Sequence, residues 1–228
     1  MIRRLFTDFD GPIMDVSERY YQVYLYCLAR IKLPNQLVNT LTKAEFWHCK
    51  RSQIPETEIA LKSGLTEYSQ PERFAKLRRN TVHTEPYFKY DRLNEMAIAA
   101  LEQAQAEGLE LAVMTMRRVC ELDPAIEAYD LGRFFPPERR FCLANDYVKT
   151  QDVQDKTRSM ANALKTLPQA TSQWMVGDTE ADIIAGKTHG IYTIGVLSGI
   201  RSQERLELNQ PEKIVNNLAE AVALIAAT

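Results

Sequence analysis

The 228-residue chain lacks several features that would assign it quickly. Its four cysteines, Cys27, Cys49, Cys120 and Cys142, form no C-x-x-C pair, so neither zinc-site spacing nor the density of a small disulfide scaffold is present. Free, buried thiols in a reducing cytoplasm are the expectation. Charge of one sign is also missing: 28 Lys and Arg face 30 Asp and Glu, a net of −2, which gives no electrostatic footprint for nucleic acid or anionic lipid. No apolar run is long enough to span a bilayer, because the most apolar stretch, Ala219 to Ala227, is short and contains Glu220. The start, Met-Ile-Arg-Arg-Leu-Phe-Thr-Asp, meets an acidic residue before an h-region can form, so no signal peptide is expected. Only nine glycines occur, and none builds a P-loop: Gly186-Lys187-Thr188 has Ala181 where the first glycine is required. There is no repeat and no low-complexity tract, and no feature specifies an oligomeric state.

What is present is an alternation of strands and helices. Ile2, Leu5, Phe6 and Phe9 read as a buried strand stopped at Gly11-Pro12. Further strands are expected at Leu109–Met114, Arg140–Leu143, Gln173–Val176 and Ile191–Val196. Helical patterns lie between them at Arg92–Ala106, at Lys156–Leu167 behind Asp155 as N-cap, and at Thr179–His189 closed by Gly190. This order predicts an α/β fold, a Rossmann-like, mostly parallel sheet with helices on both faces. The stretch from Ile13 to Phe88 breaks the rhythm, being far longer than one crossover needs. Val16, Tyr20, Val23, Tyr24, Cys27, Leu28 and Ile31 follow helical spacing, and Pro34 ends the pattern. Helices are also expected around Leu37–Trp47, Glu56–Lys62 and Glu72–Val82. The expectation is a core of residues 1–14 and 86–228 with an inserted helical cap of residues 15–85. Residues 13–88 carry 11 basic and 8 acidic side chains, a balance suited to an anionic substrate.

Chemistry-bearing residues recur at the strand ends. Asp8 and Asp10 flank one residue, so strand alternation brings two carboxylates together, which calls for a shared proton or a cation. Thr115 follows the strand Leu-Glu-Leu-Ala-Val-Met, and Arg117 and Arg118 come next as candidates for substrate contact. Lys156 opens a helix. Gly177-Asp178 ends another strand, with Asp182 one helical turn on. A carboxylate pair, a hydroxyl, an ammonium and a second carboxylate pair thus arrive at one sheet edge, where open α/β folds bind ligands.

This ordered set resembles the haloacid dehalogenase superfamily, with Leu5-Phe6-Thr7-Asp8-Phe9-Asp10-Gly11 as first motif, Thr115 as second, Lys156 as third and Gly177-Asp178-Thr179-Glu180-Ala181-Asp182 as fourth. The helical insert sits where the superfamily's type 1 caps sit. Pro12 and Met116-Arg117-Arg118 depart from the commoner residues at those positions. The resemblance implies a Mg²⁺-dependent phosphatase of a small phosphorylated metabolite. Asp8 would be the nucleophile that forms an aspartyl-phosphate and Asp10 the general acid and base. Thr115 and Lys156 would hold phosphoryl oxygens, and Asp8, the Asp10 main-chain oxygen, Asp178 and Asp182 would serve the metal. Asp10 argues against the halide-releasing and phosphonate-cleaving branches. A phosphomutase of sugar phosphates uses the same motifs, and a non-enzymatic phospho-acceptor or a silent binding protein are the alternatives from another class.

Overall fold

The computed structural model describes residues 1–228, and the chain divides into two compact units, Met1–Asp15 with Leu93–Thr228, and Val16–Arg92. The sequence places these divisions at 14/15 and 85/86. The exit lies later because Glu85–Phe88 is helical and the buried Asp91 pairs with Arg19 at 3.0 Å inside the second unit.

In chain order the elements are β1 (Arg3–Thr7), β2 (Met14–Asp15), α1 (Ser17–Ile31), α2 (Lys43–Arg51), α3 (Glu56–Lys62), α4 (Gln70–Thr81), α5 (Glu85–Phe88), β3 (Arg92–Leu93), α6 (Ala97–Ala106), β4 (Leu109–Arg118), α7 (Val119–Ala128), β5 (Arg140–Leu143), α8 (Asp152–Thr166), β6 (Ser172–Gly177), α9 (Glu180–Thr188), β7 (Tyr192–Val196), α10 (Gln203–Glu207), β8 (Lys213–Val215) and α11 (Leu218–Ala226). Strands β2 and β3 pair as a two-stranded ribbon.

The first unit is a six-stranded sheet in the order β5-β4-β1-β6-β7-β8, with parallel pairing throughout. Helices α8 and α9 pack together on the sheet, as do α6 and α11, which gives the layers on both faces that parallel strands require. Strand β1 is one of the two central strands: Leu5 and Phe6 are fully inaccessible, and Phe6 packs with Ala112, Met114, Met160, Met175 and Ala185. Register sets what lies at its end. Thr7 pairs with Val113 of β4 and Val176 of β6, and the Asp8 N–H donates to the Val176 carbonyl at 2.8 Å. Residues just past Thr7, Val113 and Val176 therefore emerge side by side.

Several local readings shift. Strand β4 runs to Arg118, with a register shift against β5 between Met114 and Arg118, so Arg117 and Arg118 belong to a strand. Helix α8 begins at Asp152 with Gln151 as its N-cap, which corrects the expected start at Lys156. Asp155 is not the N-cap: inside the first turn it accepts from the Thr150 N–H and hydroxyl and from the Tyr147 hydroxyl. Helix α2 begins at Lys43 because Thr42 and Glu45 form a reciprocal capping box, leaving residues 37–41 outside it. All four cysteines are free, Cys27 and Cys49 buried but Cys120 exposed. No helix is long and apolar enough to cross a membrane.

The second unit has its own core, centred on Tyr24, which stacks on Phe46 at 4.8 Å and meets Phe74 edge-on at 6.1 Å. The Tyr24 hydroxyl accepts from the Leu41 N–H at 2.9 Å and meets Ser63 Oγ at 2.9 Å, while Ser63 donates to the Ile59 carbonyl. Replacing Tyr24 by Phe strands the buried Leu41 N–H and should cost about 1–3 kcal/mol, seen as a lower urea midpoint at unchanged slope.

Candidate active site

Three motif carboxylates converge at the carboxyl end of the sheet. Oxygens of Asp8, Asp178 and Asp182 all lie within 4.8 Å of one another, and all three residues are buried. Asp8 follows β1 directly, its Oδ1 accepting from the Phe9 N–H at 2.7 Å and its Oδ2 lying 2.9 Å from Lys156 Nζ. Asp178 follows β6, and its Oδ2 accepts from the Ile200 N–H at 2.6 Å. Asp182 is tied on both sides: Oδ1 to Lys156, and Oδ2 to the Thr179 N–H at 3.0 Å and hydroxyl at 2.7 Å. That second set is the capping box of α9, so Asp182 both starts that helix and joins the cluster.

Lys156 reaches this group from α8 with almost no exposure, 1 %. Burial opposes its charge, yet Asp182 and Asp8 outweigh that cost and hold the ammonium above its ordinary pKa. One cation between three buried anions leaves a deficit. Burial, against the pull of Lys156 and with added repulsion from Asp182 and Asp178, raises the Asp8 carboxyl well above the usual range. Burial likewise pushes Asp178 up to about 7, with Asp182 adding to the rise and the Ile200 N–H opposing it. The donor set is all oxygen, two of its members are short of positive charge, and that chemistry fits a hard divalent cation.

The backbone comes close enough to hold Asp178 in place. Gly11 has φ +93°, in the left-handed region, and a Cβ there would overlap the Asp178 carboxyl; a Cβ on Gly199 would do the same. The Gly11 carbonyl is in turn fixed by Asn94 Nδ2 at 2.6 Å and Ser198 Oγ at 2.8 Å.

The remaining expected site residues are distributed differently. The Asp10 side chain does not join the acidic cluster; its Oδ1 accepts from Arg117 Nε at 2.8 Å and Nη2 at 2.6 Å. Thr115 is buried beside β1 and its Oγ1 accepts the Arg117 N–H at 3.2 Å, which leaves the hydroxyl proton for a further acceptor. Arg117 and Arg118, expected at an open rim, are both engaged with acids of this chain, Arg118 with Glu121 at 3.0 Å. Sequence reading missed Asn94, Ser198, Gly199 and Ile200, which arrive from loops with no motif of their own. Thr179 was legible, since Thr-x-x-Asp before an apolar run is a capping pattern. A cavity of about 680 Å³ beside Trp174, Tyr192 and Ile225 lies at the other ends of β6 and β7 and carries none of these groups.

The HAD-hydrolase-like family matches residues 156–221, the stretch holding Lys156, Asp178 and Asp182. The chain is 29% identical over 124 residues to phosphoglycolate phosphatase of Escherichia coli K12, covering 53% of this chain and 47% of that protein. The match thus spans about half the length of the curated relatives. Among solved structures it is similar to a haloacid dehalogenase-like family hydrolase from Streptococcus pneumoniae, with TM-score 0.69, 18% identity and 98% of each chain covered. It is also similar to a hydrolase from Pseudomonas syringae, with TM-score 0.62, 16% identity and coverage of 99% and 98%.

The raised Asp178 carboxyl has a signed consequence. Its folded form holds the proton more tightly than the unfolded chain, so the stability it contributes is present below about pH 4 and lost as pH rises through about 7. In chelator, the unfolding free energy of the wild type relative to Asp178→Asn should fall over that window, as thermal or urea melts at stepped pH would show. The segment holding Lys156, Asp178 and Asp182 is thus similar to the HAD-hydrolase-like family, and the chain as a whole shares its fold with the two solved hydrolases.

Proposed function

We propose that the protein is a Mg²⁺-dependent phosphatase of a small phosphorylated metabolite, working through a phosphorylated Asp8. The observation that carries this reading is the environment of Asp8: a carboxylate at the end of a central strand, with Lys156 at 2.9 Å and two further carboxylates within 4.8 Å. A mere structural turn has no need to bury three like charges together. The partial match to phosphoglycolate phosphatase supports a small phosphate monoester as the substrate class.

Asp8 and Asp178, with the main-chain oxygen of Asp10, would hold the Mg²⁺ ion. Bound there, the ion offsets the repulsion between the carboxylates and an incoming phosphate dianion. An Asp8 oxygen attacks phosphorus, the bond from phosphorus to the leaving oxygen breaks, and the Asp10 proton passes to that oxygen. Water then attacks phosphorus, gives its proton to Asp10, and the phosphorus–Asp8 bond breaks to release inorganic phosphate. Lys156 and the Thr115 hydroxyl hold phosphoryl oxygens as fixed donors, each worth roughly 10²–10³ in turnover if they act like other anion holes. The unit of residues 16–92 is assigned the role of a cap that selects the substrate.

Asp8→Asn should lower release of inorganic phosphate from an aryl phosphate by roughly 10³-fold or more. Chelation should abolish wild-type turnover and Mg²⁺ should restore it. Wild-type-like turnover of the Asp8→Asn protein would sink the reading, and interconversion of sugar phosphate isomers without phosphate release would replace it with a mutase. Independently of activity, Mg²⁺ should raise the melting temperature of the wild type, and the shift should vanish in Asp178→Asn.

A further inference from the structure

The Arg117 guanidinium is buried to 3 % exposure, and two of its nitrogens are committed to one oxygen of Asp10. Its third nitrogen, Nη1, donates to the Glu121 carbonyl at 3.3 Å, and the group lies over the Phe9 ring, 4.9 Å from its centroid. The Arg117 N–H meanwhile donates to Thr115 Oγ1 at 3.2 Å. Arg117 is thus locked by a helix carbonyl, an aromatic face and the strand edge before it touches Asp10. Two nitrogens of a planar group held this way fix the position of the one oxygen they share, Oδ1, more firmly than a single ammonium on a flexible stem would.

The Asp10 side chain is 23 % exposed and lies beyond the end of β1, where its backbone forms a bridge to Met14 outside the named strands. A carboxyl on a short side chain there can swing about two bonds, whereas proton transfer needs it within hydrogen-bond reach of one oxygen.

We propose that Arg117 is a positioning residue: it fixes the Asp10 carboxyl in the orientation from which its proton passes to the leaving oxygen, and it makes no contact with substrate. This rests on the phosphatase reading and extends it, because it assigns the register-shifted end of β4 to proton transfer instead of substrate binding. The arginine acts through Asp10, so its removal harms a reaction only as far as that reaction needs the proton.

The test is a series of phosphate monoesters graded by leaving group, from nitrophenyl to alkyl esters, assayed with wild type, Arg117→Met, Arg117→Lys and Asp10→Asn. A nitrophenolate departs without a proton and an alkoxide does not. Arg117→Met should lower kcat on the alkyl ester by roughly 10²-fold and on the nitrophenyl ester by less than about tenfold, with KM little changed. Arg117→Lys should recover only part of the loss. In an Asp10→Asn background, Arg117→Met should add little, because the two act as a unit. The ratio between substrates is independent of how much of a variant folds, so a destabilised Arg117→Met sample still reports. Equal losses for every leaving group, a KM rise across the series, or full additivity with Asp10→Asn would overturn the role of Arg117 alone. Absent turnover in the wild type, or turnover that survives Asp8→Asn, would instead overturn the phosphatase reading and this role with it.

Discussion

Three carboxylates buried at one strand end repel one another, and much of the first unit is arranged around that repulsion. Lys156, reaching in from α8, supplies one positive charge to Asp8 and Asp182. They hold its ammonium above the ordinary range despite burial, while burial first, and repulsion among the carboxylates after it, keep Asp8 and Asp178 raised. A site left in that condition favours a divalent cation and, through it, an anionic ligand.

The scaffold keeps these charges from separating. Parallel pairing of β1 with β4 and β6 fixes three strand ends in register, so Asp8, Thr115 and Asp178 cannot drift apart without breaking the ladder. Close backbone approach at Gly11 and Gly199 confines the Asp178 carboxyl, and the capping box of α9 confines Asp182. Asp10, outside the ladder, is held by a side chain instead. The pairing of its Oδ1 with two nitrogens of Arg117 separates it from the acidic cluster, so the two aspartates of the first motif face different partners and can do different work.

Much of the fold was legible because its signals are local. Buried parallel strands read as short apolar runs, and Leu109, Arg140 and the 173–176 segment fall within the strands expected there. The short β8 and α10 carry too few residues to show a period. Helix α8 begins a turn early because Asp155, a good N-cap by type, is turned to Thr150 and Tyr147 by contacts the sequence does not display. Strand β4 continues through Met116-Arg117-Arg118, which look like a polar turn, because the buried Arg117 finds Asp10 as a partner.

The sequence by itself determined which groups are available and in what order: a D-x-D-G strand end, a threonine, a lysine and a second pair of aspartates, each placed by strand alternation or helical spacing. Those patterns depend on neighbours a few residues apart and so are written along the chain. Tertiary structure decided how the groups pair. That Asp8 and Asp182 share Lys156, that Ile200 caps Asp178, and that Asp10 answers to Arg117 follow from segments brought together across 22 to 148 positions of sequence. Only the register of the parallel sheet, a long-range packing outcome, brings those segments within hydrogen-bond reach.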